Sequence, residues 1–443
     1  MSELALLGGR PVRDKRFPAY QHIGEEEKKA VLAVLETGVL SRYVGSHNED
    51  FMGGPRVREF EAHWAENFSS KHALAVNSAT SGLYAAVGAV GVQPGDEIIV
   101  SPYTMVASVT AAVVYNAVPV FADIDPNTFC LSVESIKEKI TPRTKAIIVV
   151  HLFGHPADMD PIMELAKANN IAVIEDAAQA PFAMYKGQIV GSIGDIGVFS
   201  LNYHKHIHTG EGGMVTTNDP DLAERVSLIR NHAEAVVAGR GVKNLSNMVG
   251  FNFRMGEIEA AIGTCQLKKG PSLVDQRCCN IRYLEAKLDG CPGLTFQKKS
   301  EGIRSVYYVH PIIFNAKALG ITRETFVTAL RAELPETILR EGEGALIGAG
   351  YVRPIYLEPM YEKKIAFGDK GCPFNQPYYS GDPDYSSGIC PETERAHFET
   401  LITHELMLPP MSNQDLDDVV RAFEKVAGEI SALCKYEAKK GGA

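Results

Sequence analysis

Between about residues 70 and 220 the chain alternates short apolar runs with stretches whose apolar positions recur at helical spacing. The runs fall at 73–76, 97–100, 118–121, 146–150, 171–174, 196–200 and 213–216. Helices are predicted at 80–90, 106–115, 133–140 and 160–169. Apolar runs of four or five residues separated by helices of about ten predict a mostly parallel sheet with both faces covered. In such an α/β sheet, ligands gather beyond the C-terminal ends of the strands.

The pattern changes further along. A helix at 255–268 passes into a helical region ending near 288. Residues 306–314 alternate like a strand, and helices are predicted at 323–334 and 413–433. Residues 335–395 are rich in Gly, Pro and Tyr and show no clear helix. This predicts a large domain over 1–285, with an N-terminal arm, and a smaller C-terminal α+β domain over 286–443. The tail from 439 to 443 is expected to fray.

Composition narrows the function classes. The 443 residues are 45% hydrophobic and 22% charged, ordinary for a globular protein, and the formal net charge of -10 argues against a general nucleic-acid binder. No run approaches the roughly 18 apolar residues of a membrane span. The opening MSELALLGGRPVRDKR places its apolar patch before its charges, the reverse of a secretory leader, which predicts a cytoplasmic location. The eight cysteines form no C-x-x-C pair and are expected to be reduced thiols.

Three loops carry candidate chemistry. Asn77-Ser78-Ala79-Thr80-Ser81-Gly82 follows a strand and opens a helix, where free amides and hydroxyls can hold an anion, although Ser78 also reads as a plain N-cap. The strand before Asp176 delivers that carboxylate to the ligand edge, where it can hydrogen-bond a protonated ring nitrogen or simply cap a turn. After Ser200 comes Leu-Asn-Tyr-His-Lys205-His-Ile-His-Thr-Gly. A lysine shielded among aromatic and imidazole groups has a lowered pKa, and a neutral amine forms Schiff bases with aldehydes. Together the loops offer a phosphate cradle, a partner for a pyridine nitrogen and an amine for an aldehyde, the needs of pyridoxal 5'-phosphate. A rival reading takes His204, His206 and His208 as zinc ligands on one face of an extended segment.

At these residues the sequence resembles the DegT/DnrJ/EryC1/StrS sugar aminotransferases, which are fold type I pyridoxal-phosphate enzymes. The likeness runs from about Gly24 to Val426 and is carried by VNSATSGL from 76, VIEDAAQA from 173, FSLNYHKHIHTGEGGM from 199 and GFNFRMGEIEAAIG from 250, among other segments. The resemblance implies that Lys205 carries the cofactor as a Schiff base. It implies that Asp176 pairs with the pyridine nitrogen and that Gln179 lies near the ring. Ala79, Thr80 and Ser200, beside Ser78, would hold the phosphate, and Asn252 would reach it from the second subunit of a homodimer. Many members stack an aromatic residue on the ring where this chain has Met105, which leaves that contact open. The donor implied is glutamate or glutamine. The acceptor implied is a keto sugar, free or nucleotide-linked, or a keto cyclitol, the last suggested by the opening LALLGGRPVR. One branch of the family has histidine in place of the lysine and dehydrates deoxysugars. That activity and a non-catalytic ligand sensor are the alternatives. Residues 41–54 and 335–395 are expected as substrate loops, and Tyr103, His310 and Tyr356 as pocket residues.

Overall fold

The computed structural model of the chain describes residues 4–441. The first sheet has seven strands: β1 His72–Val76, β2 Glu97–Val100, β3 Val118–Phe121, β4 Thr144–Val150, β5 Ala172–Asp176, β6 Ile196–Ser200 and β7 Gly213–Thr217. Their order is β1-β7-β6-β5-β4-β2-β3. Strand β7 is antiparallel to both neighbours, and the remaining pairs are parallel. Along β4, Ile147 and Val149 enter one core while Ala146 and Ile148 enter another, so the period-two alternation is apolar on both faces. Helices such as Ala79–Ala89, Val106–Val114 and Met159–Asn169 lie between the strands.

A 32-residue helix, Glu257–Leu288 with Pro271 inside it, leads to the second sheet. This sheet is antiparallel, with Leu294–Phe296, His310–Phe314, Leu401–His404 and Ile347–Ala349 side by side in that order. Helices Arg323–Glu333 and Asn413–Gly428 close its core through Phe314, Phe326 and Phe423.

Several expectations need correction. The N-terminal arm does not stay with the large sheet, because Leu4 and Phe17 are fully buried in the core of the second sheet. Residues 355–390 do not stay with the small one. Ile355, Tyr361, Phe374, Tyr379 and Tyr385 pack in a core of the large sheet, and the Tyr385 hydroxyl donates to Pro119 O on edge strand β3 at 2.7 Å. A cut at residue 285 therefore divides the backbone but not the packing. The segment 335–395 holds short helical turns, including Pro359–Glu362 and Pro391–Arg395, and one strand. The predicted strand 306–314 is shorter, because Val306 N and Tyr308 N donate to Gly154 O and Phe153 O (2.9 and 2.8 Å) instead of to the sheet. The helix predicted at 413–433 breaks after Gly428, and a second helix, Ile430–Gly441, runs through most of the tail expected to fray. Residues 442 and 443 lie outside the described residues. No helix of the described residues is long and apolar enough to cross a membrane.

Candidate active site

Strand β5 ends at Asp176 and strand β6 at Ser200, on neighbouring strands at the same edge of the sheet. Alternation along β5 sends consecutive side chains to opposite faces. Glu175 is buried beneath the sheet, where its carboxylate accepts from the amides of Gly191, Ile193 and Gly194 and from His151 Nε2. Asp176 faces the other way and is 5% exposed. Its Oδ2 accepts from Ser108 Oγ at 2.7 Å and its Oδ1 from the Ala178 amide at 3.1 Å. These bonds fix the orientation of the carboxylate.

The turn from β6 back to antiparallel β7 carries Lys205 above the sheet edge. Leu201 N donates to Gly212 O, and Thr209 N to Leu201 O, each at 2.9 Å. From the arm, the Tyr20 hydroxyl donates to His206 O at 2.6 Å. The Lys205 side chain is half-buried, with Nζ 4.2 Å from the centre of the Tyr308 ring. Burial of the amine pulls its pKa down to about 8, against the opposing pull of Asp176 and Glu405. The ring of Tyr308 is held in place because Arg277, from the long helix, donates to Tyr307 O and Tyr308 O at 3.0 and 3.2 Å.

The three imidazoles do not converge. His206 is fully buried and its Nε2 donates to Val306 O at 2.9 Å. His204 lies against Tyr203, and His208 lies edge-on to His22. This overturns the zinc reading: the imidazole at 206 is turned to Val306, whereas the amine at 205 lies within reach of the Asp176 charge.

The helix Ala79–Ala89 starts beside these groups. Ser78 caps it, its Oγ accepting from Ser81 N at 3.1 Å, so the first-turn amides of Ala79 and Thr80 have no acceptor within the helix. Gly213 opens β7 against this turn, where a Cβ would lie 2.7 Å from Ala79 N. Ser200 is buried, and Gln179 is 4% exposed. The Gln179 side-chain oxygen accepts from Phe153 N at 2.8 Å, and its nitrogen donates to the Tyr351 hydroxyl at 3.0 Å. Met105 stands at the start of its helix, 59% exposed. Asn252 is exposed beside the end of β1, where its side-chain oxygen accepts from Arg254 Nε at 2.8 Å.

Of the expected pocket residues, Tyr103 is near this site, its hydroxyl accepting from Tyr351 N at 3.0 Å. His310 is not, being buried in the second sheet with Nδ1 2.8 Å from His404 Nε2. Nor is Tyr356, which packs on Phe121 and donates to Glu394 at 2.6 Å. Residues 41–54 are tied down at Val44 O and Phe51 O by Asn231 Nδ2. The sequence reading missed Ser108, Tyr308, Tyr351 and Glu405. Ser108 alone left a signal, as a hydroxyl four residues after Thr104 in GDEIIVSPYTMVAS from 95, a further segment that carries the family likeness.

An enclosed amine, a pinned carboxylate, a buried hydroxyl and open helix amides match an aldehyde-bearing, phosphorylated pyridine in donor type and in charge. Comparison with known proteins agrees. The DegT/DnrJ/EryC1/StrS aminotransferase family matches residues 21–373. The L-glutamine:2-deoxy-scyllo-inosose aminotransferase of Streptomyces fradiae is 32% identical, over 96% of this chain and 98% of its own. The GDP-perosamine synthase of Caulobacter vibrioides is 44% identical, over 53% of this chain and 62% of its own. The solved structure of an aminotransferase from Psychrobacter cryohalolentis superposes with a TM-score of 0.78 at 30% identity, covering 94% of this chain and 100% of the other. The chain thus belongs to the DegT/DnrJ/EryC1/StrS aminotransferase family, with the fold type I architecture and pyridoxal 5'-phosphate as its cofactor.

Proposed function

We propose that Lys205 is the amine that carries the cofactor and that the enzyme moves an amino group from glutamate or glutamine to a keto sugar or keto cyclitol. The observation that carries this reading is the enclosed Lys205 amine, with a pKa near 8, facing a carboxylate fixed by Ser108 and Ala178. The two curated relatives support the acceptor class, one acting on an inosose and the other named for a GDP-linked amino sugar. The bound cofactor supplies an aldehyde that captures amines and a ring that withdraws electrons.

The chain's own residues do the rest. Asp176 keeps a ring-nitrogen proton in place, because its carboxylate cannot turn away from Ser108. Ala79 and Thr80 amides and the Ser200 hydroxyl hold the phosphate at the helix N-terminus, where the partial positive charge favours an anion. Gln179 is held in place by Phe153 and Tyr351, where it would lie beside the ring. Once freed, Lys205 takes a proton from the donor carbon and returns it at a neighbouring atom, a task suited to an amine that titrates near neutral pH. The exposure of Met105 and of Asn252, both at this edge, supports a second copy of the chain completing the site.

The test is direct. Holoenzyme is reduced with borohydride, digested and weighed by mass spectrometry. The cofactor is expected on the peptide containing Lys205, and its appearance on another lysine would overturn the assignment.

A further inference from the structure

Strand Ile347–Ala349 of the second sheet ends at Gly350, where a left-handed backbone (φ 83) and a would-be Cβ 2.7 Å from His397 O leave room for glycine only. The turn sends the chain back to the edge of the first sheet. Tyr351 N donates to the Tyr103 hydroxyl and Ile355 N to Pro102 O, each at 3.0 Å, so Tyr351 lies against the loop that follows β2. Its ring is held edge-on by Tyr103 and by Phe153, with centroids 6.0 and 5.1 Å away. Phe153 also links it to the amine, because the Phe153 carbonyl accepts from Tyr308 N at 2.8 Å and the Tyr308 ring covers Lys205.

The hydrogen bonds here leave one proton without an acceptor. Phe153 N can only donate, so it fixes the Gln179 amide with its oxygen toward Phe153 and its nitrogen toward Tyr351. That nitrogen can only donate in its turn. Tyr351 Oη is therefore the acceptor of the 3.0 Å bond, and its own O–H has no acceptor among the described residues. Burial pushes the Tyr351 pKa up to about 12, so the proton stays on the oxygen at neutral pH. Tyr351 thus offers the site a neutral hydroxyl that gives a hydrogen bond.

An aminotransferase receives two substrates of different chemistry in one place. Glutamate and glutamine carry a carboxylate on the carbon that bears the amine. A keto sugar or keto cyclitol carries a hydroxyl on a carbon beside its carbonyl. What the two share is an oxygen on the atom next to the reacting carbon, and either oxygen can accept a hydrogen bond. A fixed cation would favour the carboxylate and a fixed anion would repel it, whereas a neutral O–H suits both.

We propose that Tyr351 is a substrate-binding residue common to both half-reactions, its hydroxyl donating first to the carboxylate of the amino donor and then to the hydroxyl beside the carbonyl of the keto acceptor. The proposal rests on the aminotransfer reading above. Gln179 and Tyr103 act on it as positioning residues, one through the side chain and one through the backbone.

The test mixes holoenzyme and its Tyr351→Phe variant with glutamate, glutamine or hydroxylamine and follows the cofactor absorption band. Phenylalanine keeps a ring between Tyr103 and Phe153, so the band itself should be unchanged. The concentration of glutamate or glutamine that half-saturates the spectral change should rise about tenfold, the scale of one hydrogen bond to a charged group. Hydroxylamine captures the cofactor aldehyde but has no carboxylate, and its rate should stay within about twofold of the original. In the second half-reaction, scyllo-inosose and a nucleotide-linked 4-keto-6-deoxyhexose are the probes. Whichever restores the band should be needed at about three to ten times the concentration, because a hydroxyl is a neutral acceptor.

Donor saturation within about twofold of the original would overturn the proposal. So would hydroxylamine slowed as much as the donor, which marks a general loosening of the site. A loss confined to the donor or to the acceptor would overturn the common role, and loss of the cofactor band would move Tyr351 from the substrate to the cofactor. The parent reading fails separately, if neither glutamate nor glutamine changes the band of the unmodified enzyme. If a donor changes it and neither keto probe restores it, the acceptor class falls and the donor arm still decides Tyr351.

Discussion

On one side of Lys205, the groups proposed to hold the cofactor stand at the ends of regular elements. Asp176 ends β5, Ser200 ends β6, and Ala79 and Thr80 open a helix. On the other side, Tyr308 sits in an irregular stretch bonded to the 152–154 turn, Tyr351 follows a short strand, and Arg340 and Glu405 come from loops. The first wall is set by the sheet, so its groups share one rigid frame, which suits a cofactor that every turnover needs in the same place. The second wall is assembled from separate stretches and can vary in shape without disturbing the sheet, which suits the substrate.

Substitutions on the two walls should therefore differ in size. Lys205→Ala should abolish covalent attachment and lower turnover by about 10³-fold or more, read by mass spectrometry and by amino-transfer rate. In the unaltered apoprotein, capture of added pyridoxal phosphate should rise with pH with its midpoint near 8, where the enclosed amine is half deprotonated, and then level off, whereas an ordinary lysine would have its midpoint near 10.5. A midpoint displaced to the ordinary value would show that the amine is hydrated. Asp176→Asn should retain the cofactor and slow turnover about 10²-fold or more, because an amide does not hold the ring proton. Ser108→Ala should cost about tenfold in turnover with little change in cofactor content, the worth of one hydrogen bond to a charged group. On the far wall, Tyr308→Phe should stay within about threefold, since the ring face over the amine is retained. A loss as large as that of Ser108→Ala would give Tyr308's hydroxyl a role of its own and erase the contrast.

The same contrast explains what could be read from the residues alone. The strand runs and the groups at their ends were legible because burial on both faces forces continuous apolar sequence, and a following loop marks the edge. Asp176, Ser200 and Lys205 lie within two such strand–loop junctions. Glu405 and Tyr308 gave no signal, since their importance arises from distant segments meeting. His310 misled because an imidazole in a strand looks the same whether it faces a ligand or, as here, His404. Ser41 to Gly54 and residues 335–395 looked like substrate loops because aromatic residues in irregular sequence do not say what they will cover. Residues 355–390 cover the edge strand β3, which would otherwise present unpaired backbone.

The arm has one more implication. Arg13 N and Phe17 N donate to Glu333 O and Glu336 O in the second sheet's half, and a few residues later Tyr20 reaches the loop of the first. A single strap thus ties both halves together, so heating should melt them as one cooperative unit in a calorimeter, and trimming the chain through Phe17 should let the second half come apart first.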